Sequence, residues 1–179
     1  MYTLQELKAH VQSVLGEQAQ RIWDEAGALI VFIEAAGIRV ALTKLRDNPD
    51  TDLDIMSFMT AVDYYPRQPR FEMVYELYST ARKHRVRVKC LLDAPKNEVE
   101  LPEIDTVSDI YLAANWHERE CYDLMGVYFR NHPDLRRILL PARWDGHPLR
   151  KEYPFDGKRE WNLGTTVIDG ALMEGDLGL

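Results

Sequence analysis

Cysteine is scarce in this 179-residue chain, with only Cys90 and Cys121 present. Two thiols cannot build a disulfide framework or supply four cluster ligands, and the usage suits a reducing compartment. Long apolar runs are missing as well. The longest, "AGALIVFI" at 26–33, is far short of the roughly 20 residues a membrane helix needs. Any membrane association is therefore expected to come through partners. No glycine-rich phosphate loop occurs, neither GxGxxG nor GxxxxGK[ST]. No internal repeat of solenoid length is present. The start, "MYTLQELKAHVQSVLGEQ", has neither the apolar run of a signal peptide nor the Arg/Ser richness of a transit peptide. Positive charge is in deficit overall: the formal net charge of −7 argues against a general nucleic-acid binder.

What is present is an ordinary globular balance, 46% hydrophobic and 28% charged, enough for one domain that buries about 70% of its unfolded surface. Thr3 is placed to cap a first helix carrying Leu4, Leu7, Val11, Val14 and Leu15 at helical spacing. A short second helix is expected over 19–25, ending at Gly27. "ALIVFIE" reads as a buried strand, and "IRVALTKLRDNPD" as a helix that stops before Asn48-Pro49. "LDIMSFMTAVDYY" reads mostly as strand. The clearest alternation follows: Phe71, Met73, Tyr75 and Leu77 share one face, as do Val86, Val88, Cys90 and Leu92. Pairing Tyr78 with Arg85 would set Glu76 opposite Arg87, and Cys90 then belongs to the core.

Residues 94–106 are expected to form a loop. "VSDIYLAANWHERECYDLMG" is expected to be helical in two pieces, one packed through Ile110, Ala113, Ala114 and Trp116, the next through Cys121, Leu124 and Met125. Pro133 and Asp134 suit the first turn of a short helix, "PDLRRILL", stopped by Pro141. From 156 to 179 the chain reads as an extended tail. The expected architecture is α+β, with helices packed on a mixed or antiparallel sheet. An α+β domain over 1–126 is followed by an extended C-terminal docking segment over 127–179.

Three groups of residues can carry chemistry. His117 and Cys121, four apart, share a helix face as metal ligands do, but no second His/Cys pair has suitable spacing. Glu118, Arg119, Glu120 and Asp123 form a charged cluster in which Arg119 can pair with Asp123 at i,i+4. Its carboxylates can do acid–base work if one is buried, or form ion pairs with the arginines downstream. The third group is 130–151, with six cations against two acids, a formal +4 in an acidic chain. Phe129, Trp144, Tyr153 and Phe155 interleave with it. Basic, aromatic segments can bind RNA, but Arg, Trp and Tyr also anchor protein interfaces. Leu135, Ile138, Leu139, Leu140 and Leu149 are apolar anchors that favour docking on a protein partner.

The stretch "AANWHERECYDLMGVYFRNHPDLRRILLPARWDGHPLRKEYP" closely resembles the signature of the 30 kDa subunit family of respiratory complex I, the C or J subunits of proton-pumping NAD(P)H:quinone oxidoreductases. The matching residues are Glu118-Arg119-Glu120, Asp123, Gly126, Phe129, His132-Pro133, Leu135, Arg136-Arg137-Ile138-Leu139, Gly146-His147-Pro148-Leu149-Arg150-Lys151 and Pro154. The resemblance covers roughly 28–155. Glu152 stands where the family usually has aspartate, and Cys121 where it often has an aliphatic residue.

The resemblance implies a non-catalytic structural and assembly subunit of the peripheral arm. It implies no catalytic residue, no metal and no cofactor in this chain, with FMN or another input cofactor and the Fe–S clusters in partner subunits. The implied partners are the hydrogenase-like quinone-site subunit and a neighbouring Fe–S subunit, with no nucleic acid. The implied place is the cytoplasmic side of the inner membrane, or the matrix or stromal side in an organelle. Glu118, Arg119, Glu120, Asp123, His132, Arg136, Arg137, His147, Arg150 and Lys151 would form the docking and ion-pair network. The alternative is the same subunit in a ferredoxin- or F420-linked oxidoreductase or a membrane-bound hydrogenase.

Overall fold

The computed structural model describes residues 2–93 and 100–155. The tail expected over 156–179 and residues 94–99 of the expected loop lie outside the described residues. Thr3 caps helix α1 (Leu4–Leu15) reciprocally. Its hydroxyl accepts the Glu6 N–H at 3.3 Å, and the Glu6 carboxylate accepts the Thr3 N–H at 2.8 Å. Leu7, Val11 and Leu15 are the buried stripe.

The helix expected over 19–25 is a strand instead. β1 (Arg21–Glu25) and β2 (Ala28–Phe32) form a tight hairpin with Glu25 opposite Ala28. Ala26 and Gly27 both have positive φ, +50° and +81°, as two-residue hairpin turns require. A seven-residue helix has too few internal bonds to repay its nucleation, whereas a strand here satisfies its backbone against β2.

Helix α2 (Ile38–Asp47) buries Ile38, Ala41, Leu42 and Leu45 and ends at Asn48, as expected. Strands β3 (Ile55–Asp63), β4 (Phe71–Tyr78) and β5 (Arg85–Leu91) follow. The five-stranded sheet has the order β1-β2-β5-β4-β3 and is mixed: β2 and β5 run parallel, and the other neighbours run antiparallel. Tyr78 pairs with Arg85, so Glu76 meets Arg87 (2.7 Å), and Lys89 meets Glu72 (2.9 Å) on the same face. The alternate side chains, including Met73, Tyr75, Val88 and Cys90, join one core cluster with the helices.

Two short strands escaped the pattern. β6 (Glu103–Asp105) pairs in parallel with β7 (Tyr128–Arg130), and Arg130 bonds Asp105 (2.8 Å) and Glu103 (2.9 Å) across the pair. Three residues are too few to show a period. Helix α3 (Ala114–Met125) packs on β3 as a single piece; residues before Ala114 make turns. Ala113 and Trp116, expected to be packed, are exposed, while Ala114 is buried. Residues 133–140 form no helix. The backbone N–H groups of Ile138, Leu139 and Leu140 serve a different acceptor.

Candidate functional site

The C-terminus of α3 organises the segment downstream of β7, residues 131–155. A helix end leaves its last carbonyls without intrahelical donors. Here the segment supplies donors to each of the last three. His147 Nδ1 lies 2.9 Å from the Asp123 carbonyl, the Leu149 N–H donates to Leu124 (3.0 Å), and Arg150 Nε donates to Met125 (2.8 Å). Arg150 Nη2 reaches the Gly126 carbonyl as well, at 3.0 Å. Cations also complement the negative end of the helix dipole. Gly126 ends α3 in the left-handed region (φ +70°), and a Cβ there would collide with the His147 ring and the Arg150 guanidinium. "GHPLR" is thus a cap for α3.

Asp123 is the second anchor. Its side chain is fully buried, and one oxygen accepts the N–H groups of Ile138 (3.0 Å), Leu139 (2.8 Å) and Leu140 (2.9 Å). Arg137 donates to the other oxygen at 2.7 Å. Burial alone would push this carboxyl up, but the three N–H groups and the guanidinium hold it below the ordinary carboxylate range. Arg137 also donates to the carbonyls of Trp144 and Gly146, both at 3.1 Å. A helix through "PDLRRILL" would commit those N–H groups to helix carbonyls. Converging on a charged, buried acceptor is stronger, so the segment curls around Asp123.

Glu118 is treated in the opposite way. Its carboxylate is fully buried and accepts the Val107 N–H (2.7 Å) and the Thr106 hydroxyl. His132 Nε2 lies 3.8 Å away, but that nitrogen donates to the Asn115 carbonyl (3.2 Å) while Nδ1 accepts the Asp134 N–H (3.0 Å). Both ring nitrogens being so used makes His132 neutral, and burial lowers its basicity further. With no cation bonded to it, Glu118 is pushed up by burial to about 7.

A third anchor was missed in the sequence. Asp63, at the end of β3, receives Arg70 on both oxygens (2.7 Å each), the Tyr65 N–H (2.9 Å) and the Lys151 N–H (2.9 Å). Burial opposes ionisation, but these donors outweigh it and hold the carboxyl at about 2. Arg70 bonds Glu152 too. The only signal was an aspartate at a strand end before a proline-rich turn. The partner 88 residues away leaves no trace in the local sequence.

Arg119 does not pair with Asp123 as its spacing allowed. Its Nε donates to the Arg136 carbonyl (3.2 Å), and its guanidinium lies 5.3 Å over Trp116. Arg136 pairs at the surface with Asp134 (3.0 Å). Arg150, expected to meet a carboxylate, meets carbonyls instead. Lys151 bonds through its backbone, and Glu120 lies exposed, 4.0 Å from His117. Leu135 packs on the core, but Leu139 and Leu149 are exposed. Phe129 is buried and so offers no stacking platform. His117 meets Phe58 edge-on, and burial pushes the Cys121 thiol up to about 12. Among the described residues no three His, Cys, Asp or Glu side chains converge as a metal site would need.

Comparison with known proteins places the chain in a family. The C subunit of the NADH-quinone oxidoreductase of Geotalea uraniireducens is 52% identical over 131 residues, covering 73% of this chain and 76% of the relative. The mitochondrial NADH-ubiquinone oxidoreductase 30.4 kDa subunit of Neurospora crassa is 40% identical over 139 residues. That match covers 78% of this chain but only 46% of the longer relative. In structure, a chain of the archaeal membrane-bound sulfane sulfur reductase, a respiratory membrane complex, superposes with a TM-score of 0.63 at 24% identity, covering 89% of each chain, which is a likeness of fold. Residues 31–159, which include all three anchors, match the respiratory-chain NADH dehydrogenase 30 Kd subunit family. This chain belongs to that family.

Proposed function

We propose that this chain is a non-catalytic structural and assembly subunit in the peripheral arm of a proton-translocating NAD(P)H:quinone oxidoreductase. In this reading it docks on the hydrogenase-like quinone-site subunit, beside an Fe–S subunit. It stays peripheral on the cytoplasmic side of the membrane, or the matrix or stromal side in an organelle. The observation that carries the reading is the way the signature residues bond to one another. Asp123, Arg137, His147 and Arg150 use their polar groups to close 131–155 onto α3, which builds a shaped surface. Electron input and transfer then belong to FMN, or another input cofactor, and to Fe–S clusters in partner subunits. Supporting this, burial pushes both thiols, Cys90 and Cys121, up to about 12, while cluster ligation needs thiolates.

Arg137→Ala tests the proposal. It strands the buried Asp123 carboxylate, a loss of about 3–5 kcal/mol for a buried pair. The assembled complex should fall in amount on native gels, with the remaining complex keeping normal cluster signals. Assembly at wild-type level with altered clusters or quinone reduction would sink the scaffold reading.

A further inference from the structure

Between α3 and the segment 131–155 lies an open groove of about 620 Å³. Its floor is apolar, with Leu135, Ile138 and Leu140. Trp116 stands at one side, 64% exposed, with the Arg119 guanidinium over its ring. Three arginines line the groove, and none of the described lining residues is acidic. Arg137 is neutralised by Asp123, which leaves Arg119 and Arg136 as the groove's charge. The pair Arg136–Asp134 is exposed on both sides and so holds Arg136 only weakly. In a chain of net charge −7 this is a local patch of the opposite sign.

We infer that this groove seats an acidic, apolar segment of a partner subunit. The inference rests on the proposed subunit role and adds where one partner segment binds and what its chemistry must be. An exposed tryptophan stacked under arginine is an interface anchor: covering it removes a large apolar area from water and strengthens the cation's pull on carboxylates. A phosphate chain would satisfy the arginines but leave the apolar floor in contact with water. A neutral apolar segment would bury Arg119 with no carboxylate bonded to it and Arg136 with only the exposed Asp134 to hold its charge. Only carboxylates flanking apolar side chains answer floor and rim together.

The test places the photocrosslinker p-benzoylphenylalanine at position 116 of the full chain and irradiates the purified complex. A second variant carries it at Ala142, an exposed residue of the groove lining, for the case that the first fails to assemble. The adduct should map to a segment of another subunit in which acids outnumber bases and at least two large apolar residues occur. Adding Arg119→Glu should lower the adduct yield about tenfold. An adduct on a basic segment, on residues 156–179 of the same chain, or on nothing overturns the groove assignment alone. A wild-type chain that never enters the complex overturns the subunit reading itself.

Discussion

Glu118 and Asp123 sit on one helix, five residues apart, and the fold treats their carboxylates oppositely. Asp123 is surrounded by donors and stays ionised, whereas Glu118 has two donors and no bonded cation. Raised from 4.5 to about 7, Glu118 keeps its proton in the folded chain across a window where the unfolded chain has released it. Glu118's own contribution to stability therefore falls as pH rises from about 4.5 to 7, by up to about 1.4 kcal/mol per pH unit for one proton, while the buried histidines His84, His132 and His147, whose basicity burial lowers, contribute in the opposite sense. Glu118→Gln keeps an acceptor for the Val107 N–H and cannot ionise. The unfolding midpoint of the variant should gain steadily on that of the wild type as pH rises from about 5 to 8. Equal slopes in both proteins would show that Glu118 does not titrate there. Asp63 acts in the opposite sense: its stabilisation is present above the ordinary carboxylate range and is lost as pH falls through about 2. The glutamate–arginine–glutamate cluster is visible in the sequence as a charged helix turn. That Glu118 loses its charge to burial while Asp123 keeps its own depends on the donors from 137–140 that reach Asp123 alone, which no spacing within the helix reveals.

At the scale of elements, the C-terminus of α3 is where two parts of the chain become one unit. Gly126 permits this because its left-handed backbone and missing Cβ leave room for His147 and Arg150. Gly126→Ala should cost at least about 1–2 kcal/mol for the left-handed conformation alone. It should also lift the His147–Arg150 cap and open 131–155 to limited proteolysis at protease concentrations the wild type resists. A variant as stable and as resistant as the wild type would mean that the cap is dispensable. Elements with a long, regular period are legible from sequence: α1, α2 and the β4–β5 register follow directly from apolar spacing and charge alternation. The hairpin β1–β2 is not, because Arg21–Glu25 has too few residues to distinguish period 2 from period 3.6. The helix expected in "PDLRRILL" fails for another reason: its local preference is overridden by one buried carboxylate from α3.

For the whole molecule, residues 131–155 are bonded to two separated places: the last turn of α3, through the Asp123 carboxylate and the terminal carbonyls, and Asp63 at the end of β3. These contacts close long loops, so they act together or fail together. Truncation after Arg130 leaves β7 in place but removes the donors to Asp123, the cap on α3 and the Lys151 bond to Asp63, which keeps Arg70 and Tyr65. At about 0.5–1.5 kcal/mol net for each lost hydrogen bond, and more where one is charged, the loss comes to roughly 4 kcal/mol or more. At about 2–4 °C per kcal/mol for a domain of this size, the thermal midpoint should drop by roughly ten degrees. An unchanged midpoint would make this segment a passive appendage of the sheet domain. The sequence by itself determined the α+β class, the main strands and helices, and the family signature, because apolar periodicity and residue identity are local properties of the chain. Only the tertiary structure decided what the signature's charges do. Arg150 bonds carbonyls, Arg137 bonds Asp123, and Arg119 covers Trp116. Arg119 and Trp116 meet as i,i+3 neighbours once α3 forms, but the partners of Arg137 and Arg150 are 14 and 25 residues away and meet only once α3 and the returning segment are packed together.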